Sequence, residues 1–224
     1  MDAQERKLGN PVFIQVECTA GDLFHYSFQI SPDERLTEIR GTPFFNEAWQ
    51  DAEVELVHDT LIYYFPMRYN MYVNQMQFIY REDTFSIGNP LMVDHVQLGG
   101  HRFVYLPFHL GEQFNMAWFE VMTEGWPRLL VRHESRLDAG SVPVTPYHCQ
   151  NDYSRFVKRS VSYYMTAEMD EPVEIPLSRK KFDSLDILDG YRDSIRELRI
   201  NPRRQGDLVE LFKLLGQPKS SLKI

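Results

Sequence analysis

The feature that most constrains this chain of 224 residues is its punctuation. Short runs rich in β-branched and aromatic residues recur through most of its length, each closed by turn residues after about ten positions. Val12–Cys18 and Leu23–Ile30 flank Thr19-Ala20-Gly21-Asp22. Val54–Val57 and Leu61–Phe65 flank His58-Asp59-Thr60, and Met76–Tyr80 and Thr84–Ile87 flank Arg81-Glu82-Asp83. Val93–Leu98 and His101–Leu106 flank Gly99-Gly100, which supplies the positive φ that a two-residue hairpin needs. Phe114–Met122 and Arg128–His133 flank Gly125-Trp126-Pro127, and Phe156–Ala167 and Val173–Ile175 flank Glu168-Met169-Asp170-Glu171. Ser31–Gly41 and the proline-bearing Val142–Pro146 read as connectors. Strands this short, joined this tightly, predict an antiparallel meander in the form of a sandwich or partly closed barrel.

After Pro176 the hydrophobic period changes from two to 3.6. Ser178 stands where it can cap a short helix beginning Arg179-Lys180-Lys181. Tyr191, Ile195 and Leu198 share one helical face that Pro202 stops. Leu208, Leu211, Phe212 and Leu215 repeat the pattern, with Gly216 as a C-terminal stop. The expected fold class is therefore α+β: a mainly antiparallel β body over residues 1–176, a cap of short helices over 177–216 packed on it as one compact unit, and a tail over 217–224.

Charge follows the same division. Residues 1–176 carry 13 Lys+Arg against 25 Asp+Glu, and residues 177–224 carry 11 against 7, so a −12 body and a +4 tail make up the net −8. An acidic body disfavours nucleic acid, whose phosphates are held by Lys and Arg. No run reaches the roughly 18 apolar residues of a membrane-spanning helix. Cys18 and Cys149 belong to no metal or redox spacing; a disulfide and two free thiols are both compatible with them. The polar start Met1-Asp-Ala-Gln-Glu suits a cytoplasmic protein, or an exported one in which Met1 stands in place of a removed signal peptide.

Several strands are apolar on both parities. In Phe114–Met122, Met116, Trp118 and Met122 share one face and Ala117, Phe119 and Val121 the other, and every residue of Leu61–Phe65 is apolar or aromatic. Such strands are expected to be covered on both sides, by a second sheet, by the helices, or by a partner or ligand. Between Arg68 and Tyr80 the apolar parity switches at Asn74-Gln75, which predicts a bulge or tight bend.

The chain holds no glycine-rich phosphate loop, dinucleotide fingerprint, nucleophile elbow or zinc-protease motif, and no cofactor is expected. His95, His101 and His109 form the tightest histidine group, but a two-residue turn at Gly99-Gly100 sends His95 and His101 to opposite faces, so local bonding is the plainer reading. His148-Cys149 lacks any local nucleophile signature. Glu120, a charge within an apolar strand, must be paired, perturbed or exposed at an edge, and edge exposure is the simplest of these. Arg192, Arg196, Arg199 and Arg203 recur at 4-3-4 spacing as a basic stripe that could contact an anion, or pair with Asp189, Asp193 and the acidic body.

Gly41-Thr-Pro-Phe-Phe-Asn-Glu47 and Met67-Arg-Tyr-Asn-Met-Tyr-Val-Asn-Gln-Met-Gln-Phe78 resemble segments of a family of uncharacterised cell-envelope proteins from Bacteroidota. The resemblance spans roughly residues 41–215, with Arg68-Tyr69-Asn70 its most distinctive part. It implies a periplasmic or outer-membrane-associated protein and carries no catalytic residue. Arg68, Tyr69, Asn70, Tyr72 and Gln75 offer a cation, amides and amphipathic rings that could grip a partner or ligand, or could satisfy backbone atoms in a buried turn. The function expected is a non-enzymatic envelope component that associates with another envelope protein. The alternatives are a carrier of an apolar ligand in a curved sheet and an enzyme with scattered catalytic residues.

Overall fold

The computed structural model describes residues 27–29, 39–57, 62–138 and 154–217. The expected hairpin between Val12–Cys18 and Leu23–Ile30 lies outside them except for one short strand, as do the 58–60 turn, Val142–Pro146, His148 and both cysteines. Among the described residues the chain is mainly antiparallel β, with three short helices following the strands. It folds as two compact units: residues up to Gly100 with Glu134–Arg159, and His101–His133 with Ser160 onward.

The first unit contains β1 (Ser27–Gln29), β2 (Gln50–Leu56), β3 (Ile62–Asn70), β4 (Gln75–Tyr80), β5 (Asp83–Ile87) and β6 (Val93–Leu98), in the spatial order β1-β5-β4-β3-β2-β6. Period-two alternation sets its faces. Ala52, Val54 and Leu56 of β2 sit opposite Phe65, Tyr63 and the end of β3, and Met67 and Tyr69 continue that face to Phe78 and Met76 of β4. Phe65, Phe78 and Phe85 follow one another across three strands at ring spacings of 5.0 and 5.5 Å. On β6 the register shifts between Glu55 and Leu56, so that Val93 and Val96, of opposite parity, both enter this core. The extra residue, Asp94, is a β-bulge.

The parity switch at Asn74-Gln75 is a tight bend: the last β3–β4 pair is Asn70 with Gln75, and residues 71–74 form the turn. Asn74 closes it at φ 55°, a conformation that asparagine tolerates better than most residues. The β4–β5 connection is shorter than the sequence indicates. Asp83 already pairs with Tyr80, leaving only Arg81 and Glu82 in the turn, at φ 49° and 71°. At Gly99-Gly100 both φ angles are positive, 55° and 87°, as the Gly-Gly pair requires.

The second unit contains β7 (His101–Leu110), β8 (Gln113–Val121) and β11 (Val173–Glu174), and shares β9 (Arg128–Asp138) and β10 (Arg155–Met165) with the first; the order is β7-β8-β9-β10-β11. Both strand orders are linear, so neither unit closes into a barrel. Strand β8 is buried on both faces from Ala117 to Glu120, whereas Phe114 near its start is 61% exposed. Ala117 and Phe119 pack with Phe108, Leu130, Val161 and Tyr163, while Trp118 on the opposite parity is also fully buried.

Helices α1 (Arg179–Phe182), α2 (Arg192–Glu197) and α3 (Gln205–Leu215) bring Phe182, Ile195, Leu208, Leu211 and Phe212 onto Leu129, Tyr164 and Ile175 of the strands and the segment after β11. Each such side chain contributes about 1.5–3 kcal/mol on burial, which is what holds helices too short to persist alone. Three local expectations fail. Ser178 precedes α1 but its side chain makes no capping bond, and Gly216 ends α3 at φ −75°, without the left-handed conformation. Leu198 is 51% exposed, although it ends α2 with helical dihedrals and donates its N–H to the carbonyl of Ser194.

Candidate functional site

Residues 41–47 and 67–78 meet in space. Pro43–Phe45 runs beside Tyr69–Met71: the amide of Phe45 donates to the carbonyl of Tyr69 at 2.9 Å, and that of Met71 to Pro43 at 2.8 Å. Phe44 and Asn70 form an antiparallel bridge. Arg68, on the opposite face of β3 from Met67 and Tyr69, donates through Nε to Gln77 Oε1 at 3.0 Å. Its guanidinium lies 3.8 Å from the centroid of the Phe44 ring and 4.2 Å from that of Trp49. Burial lowers the Arg68 pKa from its ordinary value, and the two π faces recover part of the lost hydration.

The other polar groups of the motif turn inward to the chain itself. Asn70 Oδ1 accepts from the backbone N–H groups of Tyr72 and Val73, at 3.1 and 3.4 Å. The hydroxyl of the buried Tyr69 donates to Asn74 Oδ1 at 3.0 Å. Of the five candidate binding residues, Arg68, Tyr69 and Asn70 thus build the turn and its lid. Tyr72 remains exposed, its ring centroid 5.3 Å from that of Phe156, and Gln75 is half-buried at the foot of β4.

That lid covers only one end of the outer face of β3. Farther along, Ile62 and Tyr64 are 46% and 66% exposed, with Pro66 exposed between Tyr64 and Arg68. This corrects the expectation that Leu61–Phe65 is covered on both sides: Tyr63 is buried and its neighbours Ile62 and Tyr64 are bare. Directly opposite on β2 stand Glu55, Glu53 and Asp51, paired with Ile62, Tyr64 and Pro66 in that order. Three apolar groups therefore face water beside a row of three carboxylates. The sequence signal for the carboxylate row is the strict alternation Asp51-Ala-Glu-Val-Glu-Leu56, which marks a one-sided sheet.

A second polar cluster lies in the second unit. Glu120 is only 6% exposed, which overturns edge exposure as its setting. Its position is a consequence of register. Phe103 opposes Glu120 and Glu120 opposes Val131, so His101 and His133, each two residues from a direct partner, are its diagonal neighbours on the same face. His101 Nδ1 lies 2.5 Å from Glu120 Oε1, and His133 Nε2 lies 2.6 Å from Oε2. His133 Nδ1 is 2.9 Å from Ser160 Oγ. Glu120 and Ser160 thus hold the two ring nitrogens of His133 from opposite sides. Burial pushes the Glu120 carboxyl up, but the hydrogen bonds and charge attraction of His133 and His101 outweigh it and hold the group below its ordinary value. The cluster clamps four successive strands together.

The other histidines are bonded separately, His95 Nδ1 to Asp94 at 2.8 Å and His109 Nδ1 to Glu171 at 2.6 Å. Among the described residues, no group of three or more His, Cys, Asp or Glu side chains is arranged to hold a metal ion.

The arginine stripe does not persist as one helical face. Arg192 and Arg196 lie on α2, whereas Arg199 follows its end at φ 51° and Arg203 sits in the next turn. Arg192 bonds Asp189 at 2.8 Å, and Arg196 is 3.7 Å from Asp193. A residue that the spacing did not include, Arg179 of α1, joins these two around a shallow cleft with Asp183, Leu188 and Ile195.

Comparison with known proteins finds no matching family model, no matching curated protein and no matching solved structure.

Proposed function

We propose that this chain is a non-enzymatic binding component of the cell envelope, periplasmic or outer-membrane-associated, that associates with another envelope protein. The observation that carries this reading is the uncovered Ile62-Tyr64-Pro66 row on β3 beside Asp51, Glu53 and Glu55. A tyrosine gives large contact area at small entropic cost, and flanking carboxylates select a partner of opposite charge. The occupant that fits is a protein segment bearing apolar side chains with Lys or Arg beside them. The envelope setting is supported by the resemblance of residues 41–47 and 67–78, which here form one structural clasp.

The test is capture from native envelope by tagged chain and by its Ile62→Ser/Tyr64→Ser variant. The expected result is one partner retained by the native sequence, released as salt is raised, and lost from the variant. Equal retention by both proteins would remove the β3 face from the reading, and recovery of the chain only with cytoplasmic proteins would overturn the envelope assignment.

A further inference from the structure

The cleft between α1 and α2 is small, and the three arginines around it each stand beside an aspartate. It has a volume of about 80 Å³ and is lined by Arg179, Arg192 and Arg196, with Asp183 at its edge and Leu188 and Ile195 as its apolar wall. A water molecule occupies roughly 30 Å³ of liquid and drug-sized ligands need roughly 300 Å³ or more, so this space suits a single compact ion. The unused donors of three guanidiniums around one such volume favour an anion, and their planar forks match phosphate oxygens bidentately.

The guanidiniums are partly engaged and partly available. Arg179 is anchored from two sides, through Nε to Asp183 Oδ2 at 2.9 Å and through Nη1 to the carbonyl of Ile200, so its fork is held in place by the turn after α2. Arg192 uses Nη2 on Asp189 and Arg196 makes only a 3.7 Å ion pair with Asp193. Each guanidinium has five N–H donors, so these pairs leave donors unused on all three. The pairs with Asp189 and Asp193 are exposed and worth about 0–1 kcal/mol each, weak enough for a dianion to recruit the same side chains. Buried Ile195 and Leu188 fix the spacing of α1 and α2 from beneath.

We infer that Arg179, Arg192 and Arg196 form a site for a phosphate group, either inorganic phosphate or the phosphomonoester headgroup of a lipid. Arg199 and Arg203 lie outside it. The experiment titrates the full chain calorimetrically with inorganic phosphate at fixed ionic strength. In parallel, it measures co-sedimentation with phosphatidylcholine vesicles with and without phosphatidic acid. Saturable binding in either arm supports the site, and the arm in which it occurs identifies the source of the phosphate. Arg192→Gln/Arg196→Gln should weaken binding about tenfold or more, and Arg192→Lys/Arg196→Lys, which keeps the charge but loses the fork, by an intermediate factor. Arg199→Gln/Arg203→Gln should leave it unchanged. All four positions carry exposed side chains, and circular dichroism verifies folding. No saturable binding in either arm, or equal weakening by the two glutamine pairs, would overturn the site in favour of diffuse surface charge.

Discussion

A single carboxylate shows how a residue's role depends on neighbours that its own strand does not reveal. Within Trp118-Phe-Glu-Val121, Glu120 reads as an oddity that water ought to explain; in the sheet, two histidines from adjoining strands explain it. Glu120→Gln keeps the shape but removes the charge and leaves one histidine donor facing an amide N–H. The expected cost is about 1–3 kcal/mol at neutral pH, measured by urea unfolding. The pH dependence follows from the direction of the shift. Because folding lowers this pKa from 4.5, the carboxylate stabilises the folded state above that pH and the contribution fades as acid protonates it. The stability gap between native sequence and variant should therefore be present above pH 4.5 and narrow progressively below it. A gap that stays constant on acidification would mean that packing, rather than charge, sets the cost.

At the scale of elements, the turns were legible wherever their chemistry was orthodox. Gly99-Gly100 announces positive φ at both positions and adopts it. Arg81-Glu82 does not, since neither residue favours positive φ, yet the pairing of Tyr80 with Asp83 forces both into it. Left-handed conformation costs an L-residue roughly 1–2 kcal/mol. Arg81→Asn with Glu82→Gly should accordingly raise stability by about 1 kcal/mol, seen as a higher thermal midpoint. A lower midpoint would show that the side chains of Arg81 and Glu82 contribute more than their backbone costs. The helices teach the complementary point. Phe182, Ile195, Leu208, Leu211 and Phe212 are buried as their 3.6 spacing predicts, whereas the limits of α2 follow its packing, and those limits take Arg199 and Arg203 away from Arg192 and Arg196.

For the whole molecule, charge and exposure give the proposed setting its test. If the chain works in the envelope, its native, untagged form should fractionate with envelope proteins and be released by high salt without detergent, because among the described residues no helix is long and apolar enough to cross a membrane and the proposed contact is partly ionic. Retention after high salt would point to a predominantly apolar contact.

What the sequence determined by itself is what local chemistry dictates. Period-two runs at short spacing could only be antiparallel strands, the change of period after Pro176 could only be helical, and Asp51-Ala-Glu-Val-Glu-Leu56 already separated an inner face from an outer one. Tertiary structure decided everything that depends on which strand lies beside which. Apolar composition made Leu61–Phe65 look covered, but only β2 as a neighbour shows that Ile62 and Tyr64 share the outward face of Glu55 and Glu53. Only the fold shows that Phe44 and Trp49 lie against the guanidinium of Arg68, and Arg179 joined Arg192 and Arg196 only through packing of α1 against α2. Periodicity is carried by adjacent residues and survives in one dimension; registers, diagonal pairs and clefts unite residues tens of positions apart, and only the folded chain brings them within bonding distance.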